Sequence, residues 1–168
     1  MTTSDTNVTA SPHPEPRTEL VVTVTDAPTP ADITVISDAL DRFNIEHTGI
    51  ADRKALAVLV RDPETHRVVG GLTGRTSLGL FFVDLFHLPP QLRGGGLGSE
   101  ILRRAEDEAH ARGCRTAVLY TITFQAPGFY RKQGWKLLGE VPCDPPGAGR
   151  VFMTKELTAP TGRPVRAR

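Results

Sequence analysis

The sequence predicts a single α/β domain, and three observations support this fold class. Segments of alternating apolar residues recur with segments of helical periodicity, in the order β-α-β-β-β-α-β-α-β-β, which gives about seven strands. A length of 168 residues is enough to bury one core. No internal repeat divides the chain. We therefore predict one sheet flanked by helices.

The first half of the predicted domain begins with a strand at 20–24, where Leu20, Val22 and Val24 share a face and Asp26-Ala27-Pro28 follows. A helix is predicted over 31–46, because apolar residues recur there at helical spacing. Three consecutive strands complete this half, at 55–60, 68–75 and 80–88. Pro89-Pro90 stops the last of them.

The second half is predicted from a helix over 99–112, which has four inward apolar positions and ends at Gly113. Glu100/Arg104 and Arg104/Glu108 are spaced for ion pairs on this helix. The remaining predicted elements are a strand at 116–122, a short helix at 127–133 with Pro early and Gly134 after its end, and antiparallel strands at 135–141 and 150–157.

Both ends of the chain lack apolar periodicity. We predict a disordered N-terminal arm over 1–18, an ordered domain over 19–157, and a basic flexible tail over 158–168. The first residues contain no apolar segment of the kind found in signal peptides, and no run is long enough to span a bilayer. We therefore expect a cytoplasmic protein that does not bind a membrane.

The charge and the cysteines exclude several classes of function. Twenty Lys and Arg balance 19 Asp and Glu, so net charge gives no argument for nucleic-acid binding. The alternative, nucleic-acid binding by arginines of the tail, rests on Arg163, Arg166 and Arg168 alone. Cys114 and Cys143 lack metal-ligand spacing, and we expect no metal and a buried, reduced thiol at Cys114.

The most specific motif is the run Arg93-Gly94-Gly95-Gly96-Leu97-Gly98-Ser99, between an apolar strand and a helix. Glycines let the backbone approach a ligand closely, and N–H groups at a helix N-terminus bind phosphates. An NTPase loop needs Lys and then Ser or Thr after its last Gly, whereas Ser99-Glu100 stands here. A dinucleotide fingerprint started at Gly94 reaches Ser99 instead of its third glycine.

What remains is R-x-x-G-x-G, formed by Arg93, Gly96 and Gly98. With the preceding Val83-Asp84-Leu85-Phe86 and the later Phe129-Tyr130-x-x-x-Gly134-Trp135, the chain resembles the GCN5-related N-acetyltransferase (GNAT) superfamily over residues 20–157. The resemblance implies a mixed, mostly antiparallel sheet of about seven strands with a central, splayed parallel strand pair.

The resemblance also implies a ligand and a reaction. Acetyl-coenzyme A (acetyl-CoA) would donate an acetyl group to an amine of a small molecule or protein, by direct transfer in a ternary complex. A homodimer is compatible with this reading. The alternative function is a non-catalytic coenzyme A sensor or partner-binding module. The implied cofactor-binding residues are Leu85, Phe86 and His87 beside the pantetheine arm, and Arg93, Gly94, Gly95, Gly96, Leu97, Gly98 and Ser99 at the pyrophosphate.

The resemblance assigns Tyr130 as the proton donor to the leaving thiolate. The alternative is that Tyr130 is a core residue of the short helix with no catalytic role. Many relatives have Asn seven residues before this Tyr, whereas this chain has Thr123. We nevertheless include Thr123 among the predicted cofactor-binding residues. Asp84 is either the general base or a structurally bonded carboxylate, and strand alternation places it with Phe82 and Phe86.

His87 is the rival general base, on the face opposite Asp84. We expect the acceptor pocket to be formed by two segments, Asn44 to Asp52 and Cys143 to Arg150. Neither segment has the acidic cluster that would indicate a polycationic acceptor.

Overall fold

The computed structural model describes residues 20–159. The predicted arm and all but the first two residues of the predicted tail, with its three arginines, lie outside the described residues. Internal contacts divide the chain into two units, Met1–Ala39 and Leu40–Arg168.

The described part of the first unit contains no strand, so the predicted strand over 20–24 is wrong. Leu20, Val22 and Val24 are all exposed, and residues 20–29 contain no helix or strand. Alternation of apolar residues alone does not make a strand, because an extended segment also needs a neighbouring strand with which to pair. Val21 is also apolar and exposed, so the segment never had one buried face.

Helix α1 spans Pro30–Thr48 and crosses the boundary between the units. Its start is a capping box formed by Thr29 and Asp32. The Thr29 backbone N–H and hydroxyl donate to Asp32 Oδ2 at 2.9 and 2.7 Å, and the Asp32 N–H donates to Thr29 Oγ1 at 3.2 Å. These hydrogen bonds lower the pKa of Asp32. Pro30 occupies the first helical position, where its missing N–H costs nothing.

The described residues of the second unit form one six-stranded mixed sheet. Its strands are β1 (Lys54–Arg61), β2 (Val68–Ser77), β3 (Leu80–His87), β4 (Thr116–Ile122), β5 (Lys136–Cys143) and β6 (Ala148–Glu156). Their spatial order is β1-β2-β3-β4-β6-β5. Only β3 and β4 pair in parallel, and the other neighbours are antiparallel. The predicted fold class is thus confirmed, with six strands in place of about seven.

Two helices pack on the sheet beside a 3-10 turn at Pro90–Leu92: α2 (Leu97–Ala111) and α3 (Pro127–Lys132). The buried face of α2 carries Ile101, Leu102, Ala105 and Ala109, the four positions that the periodicity predicts. They join a core that also contains strand residues, including the fully buried Leu72, Phe81, Val151 and Met153. Burial of one such large side chain contributes about 1.5–3 kcal/mol.

One of the two ion pairs predicted on α2 is present. Arg104 Nε donates to Glu100 Oε1 at 2.6 Å, as expected. Glu108 instead accepts from Arg112 Nε at 2.7 Å, one turn further along the helix. Arg103 also bonds Glu100, and the two arginines together lower the pKa of that carboxyl. These pairs are exposed to solvent and therefore add little to stability.

A β-bulge in β3 corrects the predicted faces of this strand. Leu85 pairs with Thr73 but Val83 pairs with Gly74, so Asp84 is the extra residue. The bulge shifts the phase of alternation after Asp84. Phe86, opposite the buried Leu72, therefore packs against the core, and Asp84 does not share its face. By the same register His87 lies on the face of Asp84 rather than on the opposite one.

Candidate cofactor cleft and active site

The central feature of the candidate site is a gap between β3 and β4. Their pairing stops at Phe82 and Val118, although β3 continues to His87 and β4 to Ile122. Beyond this point the two strands separate, as the predicted splayed pair requires. A cleft of about 680 Å³ opens there, lined by Phe86, His87, Leu88, Arg93, Gly94, Gly96, Gly98, Ser99, Thr121, Phe124, Gln125, Ala126, Phe129 and Tyr130.

One end of the cleft is the glycine loop before α2. Gly94 and Gly96 have φ angles of 82° and 85°, in the left-handed region that disfavours other residues. A Cβ added at Gly94, Gly95 or Gly96 would meet no atom within 4 Å, so the backbone borders open space. Gly96 is the N-cap of α2 and offers no side chain to the first-turn N–H groups. These donors and the helix dipole fit a phosphate group.

Arg93 connects the glycine loop to the end of β3. Its Nε donates to the Leu88 carbonyl oxygen at 2.7 Å, and its backbone N–H donates to the Pro90 carbonyl oxygen at 3.1 Å. The guanidinium is thus held at the mouth of the cleft, where it adds positive charge beside the loop. A charged donor at this position strengthens an anion site.

The first turn of α2 is linked directly to α3. Gln133 Nε2 donates to Ser99 Oγ at 3.0 Å, which leaves the Ser99 hydroxyl proton to donate elsewhere. Gly98 faces the Phe129 ring, at 3.6 Å from the position of an added Cβ. The glycine-loop end of the cleft and the helix that carries Tyr130 therefore share contacts.

Tyr130 lies in α3 at the wall of the cleft and is 7% exposed. Its ring makes edge contacts with Phe129 and Trp135, at centroid distances of 5.1 and 6.0 Å. No hydrogen bond to its hydroxyl group is present within residues 20–159. Burial raises the pKa of Tyr130 to about 12, so the phenol carries its proton throughout the neutral range.

Thr123 does not line the cleft. Its Oγ1 accepts a hydrogen bond from the Gly149 N–H at 3.2 Å, and its own N–H donates to the Gly149 carbonyl at 2.9 Å. The side chain is therefore committed to β6. The structure brings Phe124, Gln125 and Ala126 to the cleft instead, and no spacing or motif in the sequence singled them out.

Eight of the predicted site residues line the cleft: Phe86, His87, Arg93, Gly94, Gly96, Gly98, Ser99 and Tyr130. Five do not: Asp84, Leu85, Gly95, Leu97 and Thr123. Leu85 is mostly exposed, at 71%. The Leu97 side chain packs against the core, whereas its backbone N–H is the first of helix α2.

Asp84 is held by a positive charge. It accepts a hydrogen bond from Arg75 Nη1, and the Arg75 guanidinium also lies over the Phe82 ring at 4.6 Å from its centroid. Arg75, Phe82 and Asp84 form one cluster on the sheet face away from the core. Both charged side chains of this pair remain about two-fifths exposed.

The two predicted acceptor segments are partly regular structure. Residues 44–48 belong to α1, and Cys143 and Ala148 to Arg150 belong to β5 and β6. The connections themselves are short, at residues 49–53 and 144–147. Cys143 is half-buried and free.

Comparison with known proteins identifies the family. The profile of the Acetyltransferase (GNAT) family matches residues 25–135, about two thirds of the chain. This chain belongs to the GNAT family. The matched part of this GNAT chain includes the glycine loop, the splayed strands and Tyr130, and it ends at Trp135.

Curated relatives of this GNAT chain are acetyltransferases. One from Agrobacterium fabrum is 33% identical over 106 residues, which are 63% of this chain and 77% of that protein. The blasticidin-S acetyltransferase of Streptomyces morookaense is 39% identical over 95 residues, 56% of this chain and 70% of that protein.

Solved structures show the same fold. A crystal structure assigned to an acetyltransferase of Agrobacterium tumefaciens has a TM-score of 0.74 at 28% identity, covering 82% of this chain and 99% of its own. An acetyltransferase from Bacillus cereus has a TM-score of 0.65 at 26% identity, with coverages of 80% and 98%. These findings support an acetyl-CoA-dependent acetyltransferase.

Within residues 20–159, no group of three or more His, Cys, Asp or Glu side chains could hold a metal ion. No helix in that range is long and apolar enough to cross a membrane. Cys114 is buried and free, as predicted, and burial raises the pKa of its thiol. A thiol in that state is a poor nucleophile.

Proposed function

We propose that the protein is an N-acetyltransferase that moves an acetyl group from acetyl-CoA to a primary amine by direct transfer in a ternary complex. One observation carries the proposal. A single cleft joins an anion-binding helix N-terminus at one end to the buried phenol of Tyr130 at the other, and it passes between strands that have stopped pairing.

The chain supplies three kinds of group for the donor. N–H groups of the glycine loop and of the first turn of α2, with Arg93, bind the pyrophosphate. The β3 backbone over residues 85–87 extends beyond its pairing with β4, so its polar groups on that side are available to the amides of the pantetheine arm. Phe86 and Phe129, with rings 6.0 Å apart, form an apolar wall that excludes water.

Tyr130 acts on the leaving thiolate. With a pKa of about 12 against about 8.5 for a free thiol, full proton transfer to the sulfur costs roughly 5 kcal/mol. Tyr130 therefore donates a hydrogen bond as charge develops on the sulfur, and this interaction is stronger in the transition state than in the ground state.

The acceptor amine must lose a proton, and two side chains are candidates for the base. Asp84 carries a carboxylate, but it is engaged by Arg75 and does not line the cleft. His87 lines the cleft, and imidazole is the commonest general base in enzymes. We propose His87 as the first candidate to test and Asp84 as the second, with His87→Gln and Asp84→Asn as the variants.

The acceptor is proposed to be a small molecule. The similar protein from Streptomyces morookaense is a blasticidin-S acetyltransferase, which supports an amine-bearing small molecule as the first class to screen. A protein amine is the second class.

A non-catalytic coenzyme A-binding module is the alternative function. One observation favours it: no carboxylate is present among the described residues that line the cleft. Such a module would bind acetyl-CoA and release no thiol with any amine.

The test has two stages. Calorimetry with acetyl-CoA should show saturable binding, and an absence of binding would contradict both functions. A panel of small amines and peptides is then scored by release of free thiol. Acceptor-dependent release that is lost in His87→Gln or Asp84→Asn supports transfer and identifies the base. Binding without release across small and peptide amines would favour the module.

A further inference from the structure

Gln125 is a cleft residue to which neither the sequence motifs nor the proposed mechanism assigns a role. It lies three residues after the end of β4, where the chain turns towards α3. Its side chain is exposed and lines the cleft. An exposed carboxamide ordinarily rotates freely, but this one is held by two hydrogen bonds.

The two hydrogen bonds determine which way the amide faces. The Ile122 backbone N–H donates to Gln125 Oε1 at 3.0 Å, and the Thr121 hydroxyl donates to the same oxygen at 3.2 Å. A backbone N–H can only donate, so the atom facing Ile122 must be the oxygen and not the nitrogen. The hydrogen bond from the Ile122 N–H thus fixes the orientation of the carboxamide.

The nitrogen of Gln125 is consequently left as a fixed, unused donor. No hydrogen bond from its Nε2 group to another part of residues 20–159 is present. A primary amide nitrogen carries two N–H donors and no acceptor lone pair. Because its oxygen is anchored, the group loses little rotamer entropy when a ligand binds.

The position of Gln125 indicates which part of the donor it contacts. Phe86 to Leu88 come from the β3 side of the cleft, whereas Thr121 and Gln125 come from the β4 side. The loop of four glycines lies at the phosphate end, so the segment between the strands corresponds to the amide-bearing arm. Thr123, between Thr121 and Gln125 in sequence, is committed to Gly149 and supplies no contact.

We propose that Gln125 binds the donor by donating from Nε2 to an amide carbonyl of the pantetheine arm, opposite the β3 backbone. The arm is then held between a strand edge on one side and a carboxamide on the other. This assignment rests on the proposed function, since it requires acetyl-CoA to occupy the cleft.

The matched substitution is Gln125→Glu. A glutamate keeps an oxygen for Ile122 and Thr121 but replaces the donor with a second acceptor. Gln91→Glu adds the same charge near the glycine loop, at a residue that does not line the cleft. Gln125→Met removes the donor without adding charge. Thermal unfolding of each variant checks that it folds.

The readout is calorimetric affinity of the full-length protein for three probes. Acetyl-CoA carries both the arm and the phosphates, acetyl-pantetheine carries the arm alone, and adenosine 3′,5′-bisphosphate carries phosphates without the arm. We expect Gln125→Glu and Gln125→Met to weaken acetyl-CoA and acetyl-pantetheine binding by about three- to tenfold, the loss of one hydrogen bond. Affinity for the bisphosphate should remain within twofold.

Two outcomes would overturn the assignment. Wild-type affinity for acetyl-pantetheine in a folded Gln125→Met variant would show that the donor is not used. Equal weakening of all three probes in Gln125→Glu and in Gln91→Glu would show an effect of charge alone. A wild-type protein that fails to bind acetyl-CoA at all would instead contradict the proposed function, so the two failures are distinguishable.

Discussion

Tyr130 combines a packed aromatic ring with a hydroxyl group that is left open to the cleft. Its ring is packed among aromatic neighbours, yet its hydroxyl group has no hydrogen bond to the described residues. No fully buried side-chain polar atom of residues 20–159 lacks a partner, so the unbonded Tyr130 hydroxyl is accessible from the cleft that the residue lines. A group kept protonated and unpaired at the wall of a cleft is suited to meet a charge that appears only during the reaction.

Replacing Tyr130 by Phe should therefore lower kcat more than affinity. We expect kcat to fall about 100-fold, at the lower end of the range for acid catalysis, because a hydrogen bond rather than a full proton transfer is lost. The dissociation constant for acetyl-CoA should stay within twofold. Steady-state kinetics and calorimetry measure the two effects. Tyr120→Phe, on the exposed face of β4, is the control, and an unchanged kcat in Tyr130→Phe would remove Tyr130 from the mechanism.

The raised pKa of Tyr130 predicts a loss of stability at alkaline pH. Its folded pKa of about 12 exceeds the value of 10.0 for the free side chain, so its contribution is complete below pH 10 and is lost as pH rises through 12. Between pH 8 and pH 11 the wild type should lose about 1.4 kcal/mol more unfolding free energy than Tyr130→Phe. Urea denaturation at both pH values measures this difference. Tyr120→Phe should follow the wild type, and parallel pH curves for wild type and Tyr130→Phe would contradict the prediction.

At this scale the sequence predicted the residue types but not all of their contacts. Tyr130 and the glycines carry recognisable spacing, so they could be identified in advance. Gln125 could not, because its role depends on a turn that brings its carboxamide back to the Ile122 N–H. The partner of Asp84 was equally hidden, since Arg75 lies nine residues away on a neighbouring strand.

At the scale of elements, the glycine loop and the start of α2 form one unit. Gly96 is both the helix N-cap and a residue with positive φ, and its missing Cβ faces open space. Gly113, after the other end of α2, also has positive φ and open space around it, but it lies outside the cleft. The two glycines thus share a backbone conformation that disfavours other residues, but only Gly96 lines the cleft.

Gly96→Leu should abolish binding of acetyl-CoA, with an affinity loss of at least 30-fold, because the side chain fills the space that phosphates would occupy. Gly113→Leu should leave affinity unchanged. Both variants should lose a similar 1–2 kcal/mol of stability from the positive φ angle. Calorimetry and urea denaturation separate the two effects. Normal binding by a folded Gly96→Leu variant would place the phosphates elsewhere.

Most element boundaries could be predicted to within about two residues, and the exceptions have physical causes. Helices and strands inside the sheet unit have strong periodicity, because each buries one face in a common core. The segment at 20–24 has alternating apolar residues but no buried face, so its alternation led to the wrong prediction of a strand. The bulge at Asp84 is also invisible to periodicity, since one extra residue shifts the phase without changing composition.

At the scale of the whole molecule, three distant segments are joined through Glu106 on α2. Its Oε1 accepts from Trp135 Nε1 at 2.9 Å, and its Oε2 accepts from Lys155 Nζ at 2.5 Å. The Glu106 side chain is only 12% exposed. Trp135 in turn packs against Tyr130, so this network connects α2 and β6 to the ring that lines the cleft.

Glu106→Gln should destabilise the protein by about 1–3 kcal/mol, because the Lys155 ammonium loses its charge partner in a largely buried position. Asp107→Asn is the matched control on the next residue, where the ion pair with Arg103 is more exposed. It should change stability by less than 0.5 kcal/mol. Urea denaturation measures both, and equal effects would show that burial of the Glu106 network contributes nothing.

The glycine loop has one more consequence, for how the reaction ends. The phosphates that the loop is proposed to bind are the same before and after acetyl transfer, so its contribution to binding would be uniform and would lower KM without raising kcat. Released coenzyme A should therefore remain a strong competitor of acetyl-CoA, with an inhibition constant within a few-fold of the acetyl-CoA dissociation constant. Initial rates at varied concentrations of acetyl-CoA and free coenzyme A test this. The turnover of such an enzyme follows the acetylated fraction of the coenzyme A pool rather than the amount of acetyl-CoA alone.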